Sequence, residues 1–507
     1  MILDVFIRGG KVILKSSRLN TITYYLSHLL FLLVPMLIIP LIISLLYNEG
    51  NQLYRAYYFA ILFTLLAAFL LRALTQKNKI EINLTTAMLL CAFSWIVVSL
   101  FGSLPFIIGI EKTFIDALFE STAGFTSAGL TVFSGLNLLP KSIIFWRSLM
   151  QFLGGLGILT FFLLIASRAG GETWQFFSAE GHKFNVSRPV PNIFRTVKIL
   201  WGIYILFILA QTVILKLLGL SFFDALTHSF TTISTGGFSH YDQSIGYFAA
   251  SGFENYILIE YVIIFFMFLG GVNFLLHYRL FTGDYKGVIN NGEFRTYSKI
   301  IIYSAVIISA AVIILKTADS SAEEIFRKSL FQITALLTTT GFSTENINSS
   351  FFPAAAKMFF LLLMLIGGSV GSTSGGIKVM RVKILGRLFK RDIKKIYYPT
   401  HAVLPVTIDK QILDKDEIFK LTGLFSFWLF LIAAGGIITA LFSDLSSWEA
   451  YSTMFSAVGN IGPSFISVDK LAALSPIVKI VHIVGMIAGR LEIIPLIILL
   501  NPKAWKS

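Results

Sequence analysis

Thr126-Ser127-Ala128-Gly129, Ser234-Thr235-Gly236-Gly237, Thr338-Thr339-Thr340-Gly341 and Gly459-Asn460-Ile461-Gly462 are four short stretches of one 507-residue chain, and each closes in glycine. They recur at roughly 110-residue spacing, a periodicity that marks an internal repeat. Each follows a semi-polar stretch too short to cross a bilayer. Three of these stretches begin alike: Thr113-Phe-Ile-Asp116, Ser221-Phe-Phe-Asp224 and Ser446-Ser-Trp-Glu449. A hydroxyl followed three residues later by an acid is a helix-start pattern, because the pair satisfies backbone N–H groups that have no partner inside the helix. Asp116 to Gly129, Asp224 to Gly237 and Glu449 to Gly462 are each 13 residues apart. The third unit departs from this register. Lys328 stands where the others have an acid, and its start pattern, Ser321-Ala-Glu-Glu324, lies four residues earlier. Its short helix is therefore predicted to be about one turn longer.

Composition places these turns in a membrane. The chain is 55% hydrophobic and 13% charged, with a mean hydropathy of +0.78, whereas a soluble chain carries about 25% charged residues. Apolar runs such as Ile22–Tyr47, Tyr57–Leu74, Thr85–Ile108, Tyr256–His277 and Leu421–Phe442 reach the length of roughly 20 residues that spans the hydrocarbon. The net charge of +14 invites a nucleic-acid reading, but the basic residues cluster at the edges of these runs: Arg8–Arg18, Arg72–Lys79, Arg168–Lys198, His277–Lys299 and Lys378–Lys395. The alternate loops carry Glu49, Asp116, Asp224, Glu323 and Asp444. This alternation is the positive-inside pattern; it predicts that both termini are cytosolic, with lipid and not nucleic acid as the partner. Met1–Asn20 reads as a cytosolic amphipathic arm with no cleavable signal. The single cysteine, Cys91, lies within a span, which excludes a disulfide framework and a thiolate metal site.

The predicted organisation is an arm and two-span hairpin over 1–80, followed by four span, pore-loop and span units over 81–185, 186–292, 293–405 and 406–507. The fold class is all-α integral membrane, with the four units pseudo-symmetric around one pore. Non-helical backbone at membrane depth must be satisfied by protein or line water, so four equivalent turns predict four segments converging on one axis. Backbone carbonyls can replace the hydration shell of a monovalent cation without the trapping strength of a carboxylate. Glycine admits the dihedrals that aim successive carbonyls the same way. A short helix ending at the turn adds the negative end of its dipole. Asp116, Asp224 and Glu449 then serve the helix starts and are not ion ligands.

Phe125-Thr-Ser-Ala-Gly-Leu130, Ser234-Thr-Gly-Gly-Phe-Ser239, Thr338-Thr-Thr-Gly-Phe-Ser343 and Ser456-Ala-Val-Gly-Asn-Ile-Gly-Pro463 resemble the pore-loop signatures of the Trk/Ktr/HKT superfamily of potassium transporters. The likeness runs from about Thr85 to the end of the chain. The additional N-terminal hairpin points to its TrkH/TrkG branch. The resemblance implies ten spans and four pore helices. It also implies a potassium filter built from the carbonyls of 126–129, 234–237, 338–341 and 459–462. In plant relatives, serine at the first closing position goes with sodium transport, so Gly129 favours potassium. The resemblance further implies a bacterial inner-membrane homodimer. Its implied partner is a cytosolic TrkA-like ring, which alone would bind nucleotide (NAD or ATP/ADP), and Lys378–Lys395 and Lys183–Lys198 would face that ring.

Two further features stand out. Gly367-Gly368-Ser369-Val370-Gly371-Ser372-Thr373-Ser374-Gly375-Gly376 interrupts a span in the third unit. It approaches a phosphate-binding loop, but no lysine follows its second glycine and the preceding run is a span and not a strand. The resemblance makes it an intramembrane gating loop beneath the filter. Arg490, with Glu492, lies in an apolar stretch, and intramembrane charge is functional by default. The resemblance places this arginine facing the pore near the gating loop as an electrostatic barrier; pairing with Glu492 or snorkelling at the cytosolic edge is the alternative. Arg147 and Gln151 are open to either a packing or an interface role. A sodium-permeable or ion-coupled symporter would need a carboxylate within the spans, and Glu260 is the candidate. A membrane enzyme would need convergent ligands, yet His228, His240 and Asp242 show no ligand spacing.

Overall fold

The computed structural model describes residues 5–8, 11–14, 17–76, 83–157, 193–399, 404–408, 411–491 and 493–505. A β-hairpin (Val5–Arg8 with Lys11–Leu14) precedes a helical pair, Ser17–Leu46 and Asn51–Ala73, that packs as an antiparallel hairpin. Four units of long helix, short helix and second helix follow. The long helices are Leu84–Gly102, Ile193–Leu217, Gly292–Leu315 and Lys415–Leu441. Each is long and apolar enough to cross a membrane, and they expose side chains such as Leu209, Ile302 and Phe430. In water such exposure would be costly; toward lipid it is neutral.

The short helices are Phe114–Phe125, Phe222–Ile233, Ala322–Leu337 and Ser447–Gly459, of 12, 12, 16 and 13 residues. At 1.5 Å per residue they rise only about 18–24 Å, short of the roughly 30 Å of hydrocarbon. The third is about one turn longer than the first two, as its displaced start predicts. The side chains of Thr113, Ser221, Ser321 and Ser446 each accept from the backbone N–H three residues on. Only Ser446 and Glu449 complete the reciprocal box. The Thr113 and Ser221 hydroxyls instead donate to their own acids, Asp116 and Asp224.

Each unit's second helix packs on the short helix of the next unit, and the fourth unit's second helix closes on the first short helix. That order makes a ring. The second helices are Lys141–Phe152, Tyr256–Gly270, Ala354–Met364 and Pro476–Arg490. The sequence marks a break only after the third, but the structure interrupts every one. The first runs into a π-turn at Leu153–Gly157, the second bends by 101° into Phe274–Phe281, and the fourth breaks at Ile493 (φ 71°). The second bend frees the Gly271 carbonyl and the Phe274 N–H, which pair with Ser369 N–H (2.8 Å) and the Gly371 carbonyl (3.1 Å). Backbone at that depth is tolerated because protein satisfies it.

Closure from the fourth unit to the first is fixed at the start of the first short helix by Lys479, whose buried ammonium donates to Asp116 at 2.5 Å and to the Ala472 carbonyl at 2.6 Å. Lys470 pairs with Glu449 at 3.0 Å within one unit, but is 59% exposed. Exposed pairs contribute about 0–1 kcal/mol, whereas removing one partner of a buried charged bond costs about 1–3 kcal/mol or more. Lys479→Met should therefore lower the thermal unfolding temperature in detergent by several degrees, and Lys470→Met should leave it nearly unchanged.

Candidate functional site

The four short helices end in the same way. Ser127, Thr235, Thr339 and Asn460 take the left-handed conformation (φ 53°, 52°, 56° and 53°), and two residues later Gly129, Gly237, Gly341 and Gly462 also have positive φ. The intervening N–H groups of Ala128, Gly236, Thr340 and Ile461 each reach back five residues, to Ala123, Thr231, Ala335 and Ser456, at 2.9–3.0 Å. The N–H groups one residue earlier reach back three residues, at 3.0–3.2 Å. This is the Schellman ending, normally built on glycine. A side chain other than asparagine in the left-handed region costs roughly 1–2 kcal/mol, and here Ser127, Thr235 and Thr339 adopt it in one register, with the more tolerant Asn460 at the fourth. Strain of that kind collects at functional sites.

The turns meet one another in order. A Cβ on Gly129 would lie 2.5 Å from the Gly236 carbonyl oxygen; one on Gly237 would collide with the Thr340 carbonyl, and one on Gly341 with the Ile461 carbonyl. A Cβ on Gly462 would reach 3.2 Å from the Gly129 carbonyl carbon, which closes the circle. Thr126, Ser127, Ala128, Ser234, Thr235, Thr338, Thr339, Thr340, Asn460 and Ile461 are all buried. Gly459 and Gly236 lie inside the same ring of segments, and no acidic residue belongs to any of the four turns. On one side of the ring opens a funnel of about 860 Å³, whose lining includes Gly129, Gly237, Gly462, Asp242, Glu345 and Asp469. At the outer ends of the short helices, hydrogen bonds from the Ser446 backbone and hydroxyl, with the Lys470 ammonium, hold the Glu449 carboxyl below its ordinary pKa.

Against the other side of the ring lies the loop 367–376. Ile366–Gly367 pairs in parallel with Ile377–Lys378 and cinches its base. Thr373 Oγ1 donates to the Ile233 carbonyl (2.9 Å) and receives from Thr235 Oγ1 (3.3 Å); Gly375 N–H donates to Thr339 Oγ1 (2.7 Å). A Cβ on Gly375 would sit 2.8 Å from Asn460 Cβ. The loop thus touches the second, third and fourth turns. Within it Gly368 N–H donates to Ser374 Oγ, Ser372 bonds Ser374 and the Ser369 carbonyl, and Gly371 and Gly376 adopt positive φ. Glu293, buried at the start of a long helix, accepts from Val370 N–H at 2.8 Å. Arg490 donates to the Thr373 carbonyl (2.8 Å) and to the Gly154 and Gly155 carbonyls (2.8 and 3.0 Å) in the first π-turn. It therefore ties the loop to the first unit. Glu492, its alternative partner, lies outside the described residues.

A ring of four strained backbone turns in a bundle of apolar helices has a counterpart among known proteins. The profile of the TrkH cation transport protein family matches residues 53–507. The chain belongs to the TrkH family. It is 32% identical over 497 residues to the Trk system potassium uptake protein TrkH of Escherichia coli K12, covering 96% of this chain and 99% of that one. It is 30% identical to an uncharacterized cation transporter of Methanocaldococcus jannaschii, covering 93% of each. The crystal structure of the potassium transporter TrkH from Vibrio parahaemolyticus superposes with a TM-score of 0.85 at 28% identity, over 96% of this chain and 99% of that one. Like its TrkH relatives, the chain is a predominantly helical, multi-pass membrane protein.

Sequence reasoning left Arg147 and Gln151 open, and the structure gives both a partner. Arg147 is buried and donates to Glu120 (2.7 Å), the Ser239 carbonyl (3.0 Å) and Thr131 Oγ1 (3.2 Å), with its guanidinium 4.1 Å from the Phe238 ring centre. Gln151 donates to the Gly236 carbonyl (2.7 Å) and accepts from Phe238 N–H (3.0 Å). Glu260, the candidate symport carboxylate, is paired with the buried Arg327 of the third short helix. His228 bonds Ser239 and the Asp224 carbonyl, and His240 bonds the Asp224 carboxylate. No metal-ligand cluster occurs among the described residues. A signal for Arg490 was present in the sequence: Gln151-Phe-Leu-Gly-Gly155, Met267-Phe-Leu-Gly-Gly271, Met364-Leu-Ile-Gly-Gly368 and Met486-Ile-Ala-Gly-Arg490 align, and arginine replaces the last glycine only in the fourth.

Removing one partner of a buried ion pair costs about 3–5 kcal/mol, whereas replacing both by apolar residues is often nearly neutral. Arg147→Met should therefore sharply lower the thermal stability in detergent. The double variant Arg147→Met, Glu120→Leu should recover a large part of the loss, giving a coupling well above about 1 kcal/mol in a double-mutant cycle.

Proposed function

We propose that this chain is the potassium-conducting subunit of a Trk-type uptake system, with the ring of turns as its selectivity filter and the loop 367–376 as its gate. The observation that carries this proposal is the closed ring itself: four backbone turns in one conformation, each packed on the next, with no carboxylate among them. Such a ring offers a dehydrated monovalent cation dipoles, not charges, so the ion binds and still leaves. The four short helices direct their negative ends at the same point. The names of the similar Escherichia coli and Vibrio proteins support potassium as the ion.

Below the filter, the loop stands in the path, held through Thr373, Gly375 and the Ser369–Gly271 bond. Arg490 adds a fixed positive charge there. Opening then requires the loop and Arg490 to separate from the undersides of the turns. The cytosolic helix Val379–Tyr397, which leads directly out of the loop and carries Lys383, Arg387, Lys390, Arg391, Lys394 and Lys395, is positioned to transmit such a movement. A cytosolic nucleotide-binding ring of the TrkA kind is the partner proposed for it. The proposed setting is a homodimer in the bacterial inner membrane, with both termini cytosolic.

Three outcomes test this. The chain should rescue potassium-uptake-deficient cells in low-potassium medium, and in liposomes it should pass potassium and rubidium well ahead of sodium and lithium; sodium flux equal to potassium flux overturns the assignment. Gly129→Ser places a side chain against the Gly236 carbonyl and should raise sodium relative to potassium flux. Arg490→Ala, or deletion of Ser369–Gly376, should raise basal flux about tenfold, the equivalent of roughly 1.4 kcal/mol, without altering ion preference.

A further inference from the structure

We propose that Gln151 is a positioning residue for ion selectivity: its side-chain amide pins the Gly236–Phe238 segment and so fixes the carbonyls of the second turn. This rests on the ring being the filter. The amide engages the segment at both ends, giving a hydrogen to the Gly236 carbonyl (2.7 Å) and taking one from Phe238 N–H (3.0 Å). It thereby imitates a neighbouring strand, which holds a carbonyl and the N–H two residues on. Gln151 is fully buried, so neither bond competes with water. One helical turn earlier, Arg147 holds the Ser239 carbonyl. Two side chains of the first unit thus grip three backbone groups of the second unit.

The second turn has a particular need of this grip. It alone carries two consecutive glycines, Gly236-Gly237, where the other turns have Ala128, Thr340 and Ile461 before the closing glycine. Glycine visits both signs of φ at little cost, so the peptide plane between Gly236 and Gly237 has no side chain to restrain its rotation and is held only by hydrogen bonds, from Gly237 N–H to the Thr231 carbonyl (3.2 Å) and from Gln151 to the Gly236 carbonyl. Rotation would turn its carbonyl away and present an N–H in its place. The hydrogen bond from Gln151 opposes that rotation. The two positions also depend on each other, because a Cβ on Gly236 would lie 2.5 Å from Gln151 Oε1. In the other units the residue equivalent to Gln151 is methionine: Met267, Met364 and Met486. The register of this equivalence is set by Gly154, Gly270 and Gly489, which approach the carbonyls of Phe125, Ile233 and Val458, each the residue just before the turn. A thioether donates no hydrogen bond, so the amide clamp exists at one turn of the four.

The test is flux of potassium, rubidium and sodium in liposomes by Gln151→Met, Gln151→Glu and Gly129→Ser, each first checked for a monodisperse, cooperatively unfolding protein. Gln151→Glu keeps the acceptor for Phe238 N–H but loses the donor toward Gly236. Both Gln151 variants should raise the sodium-to-potassium flux ratio by about fivefold or more, the scale of one buried hydrogen bond, while still carrying potassium. A folded Gln151→Met or Gln151→Glu protein with unchanged ion preference overturns the proposal. If Gly129→Ser shifts preference and the Gln151 variants do not, the clamp is refuted and the filter assignment stands. If none of the three shifts it, the filter assignment falls as well. If neither Gln151 variant folds, the residue is structural and the proposal is overturned.

Discussion

The backbone of each unit's turn lies against the closing glycine of the preceding one, with no space for a Cβ on Gly129, Gly237 or Gly341 and only a tight 3.2 Å for one on Gly462. That contact constrains the rest of the molecule. The turn must leave its helix at a fixed angle, which requires a left-handed residue at the helix end and hence Ser127, Thr235, Thr339 and Asn460 in a conformation that the first three resist. The helix must stop at membrane depth, so it can be only 12 to 16 residues long and starts with a side-chain cap at the end away from the ring. The second helices must come close beneath, which calls for Gly154, Gly270 and Gly489 beside the turns. The long outer helices are the least constrained part: they close the bundle and face lipid.

Around this ring the four units are equivalent in backbone and unequal in side chains. The first unit contributes Arg147 and Gln151, which reach across to the second turn. The second contributes a bend whose freed Gly271 carbonyl and Phe274 N–H anchor the loop. The third contributes the loop itself, and the fourth contributes Arg490, which satisfies the carbonyls freed by the π-turn of the first. Each asymmetric element thus answers a backbone group left open in another unit. The ring is thus close to fourfold in backbone, while the loop and Arg490 on one side of it have no counterpart in the other units.

The repeat, the caps and the longer third helix were legible in the sequence because each depends on residues close together in the chain. Ser321 and Glu324 announce their helix start within four residues, and the 13-residue interval to the closing glycine is a local ruler. Arg147 and Gln151 were not legible: Arg147 pairs with Glu120 27 residues away at no helical spacing, and the bonds that tie the two residues to the second unit go to backbone groups 92 and 85 residues away, which have no sequence signature. The bend after Gly270 was hidden in the same way: Gly271-Val-Asn273 is unremarkable until the loop of another unit supplies its hydrogen bonds. Asp116 and Asp224 were correctly read as serving helix starts, but their further partners, Lys479 and His240, belong to folding at long range.

The central claim is that the four turns form one cation site. Diffraction from crystals grown with rubidium in place of potassium, recorded at the rubidium absorption edge, tests it most directly. The account predicts anomalous peaks inside the ring formed by residues 126–129, 234–237, 338–341 and 459–462. An empty ring, with rubidium instead at a carboxylate elsewhere in the spans, would contradict it.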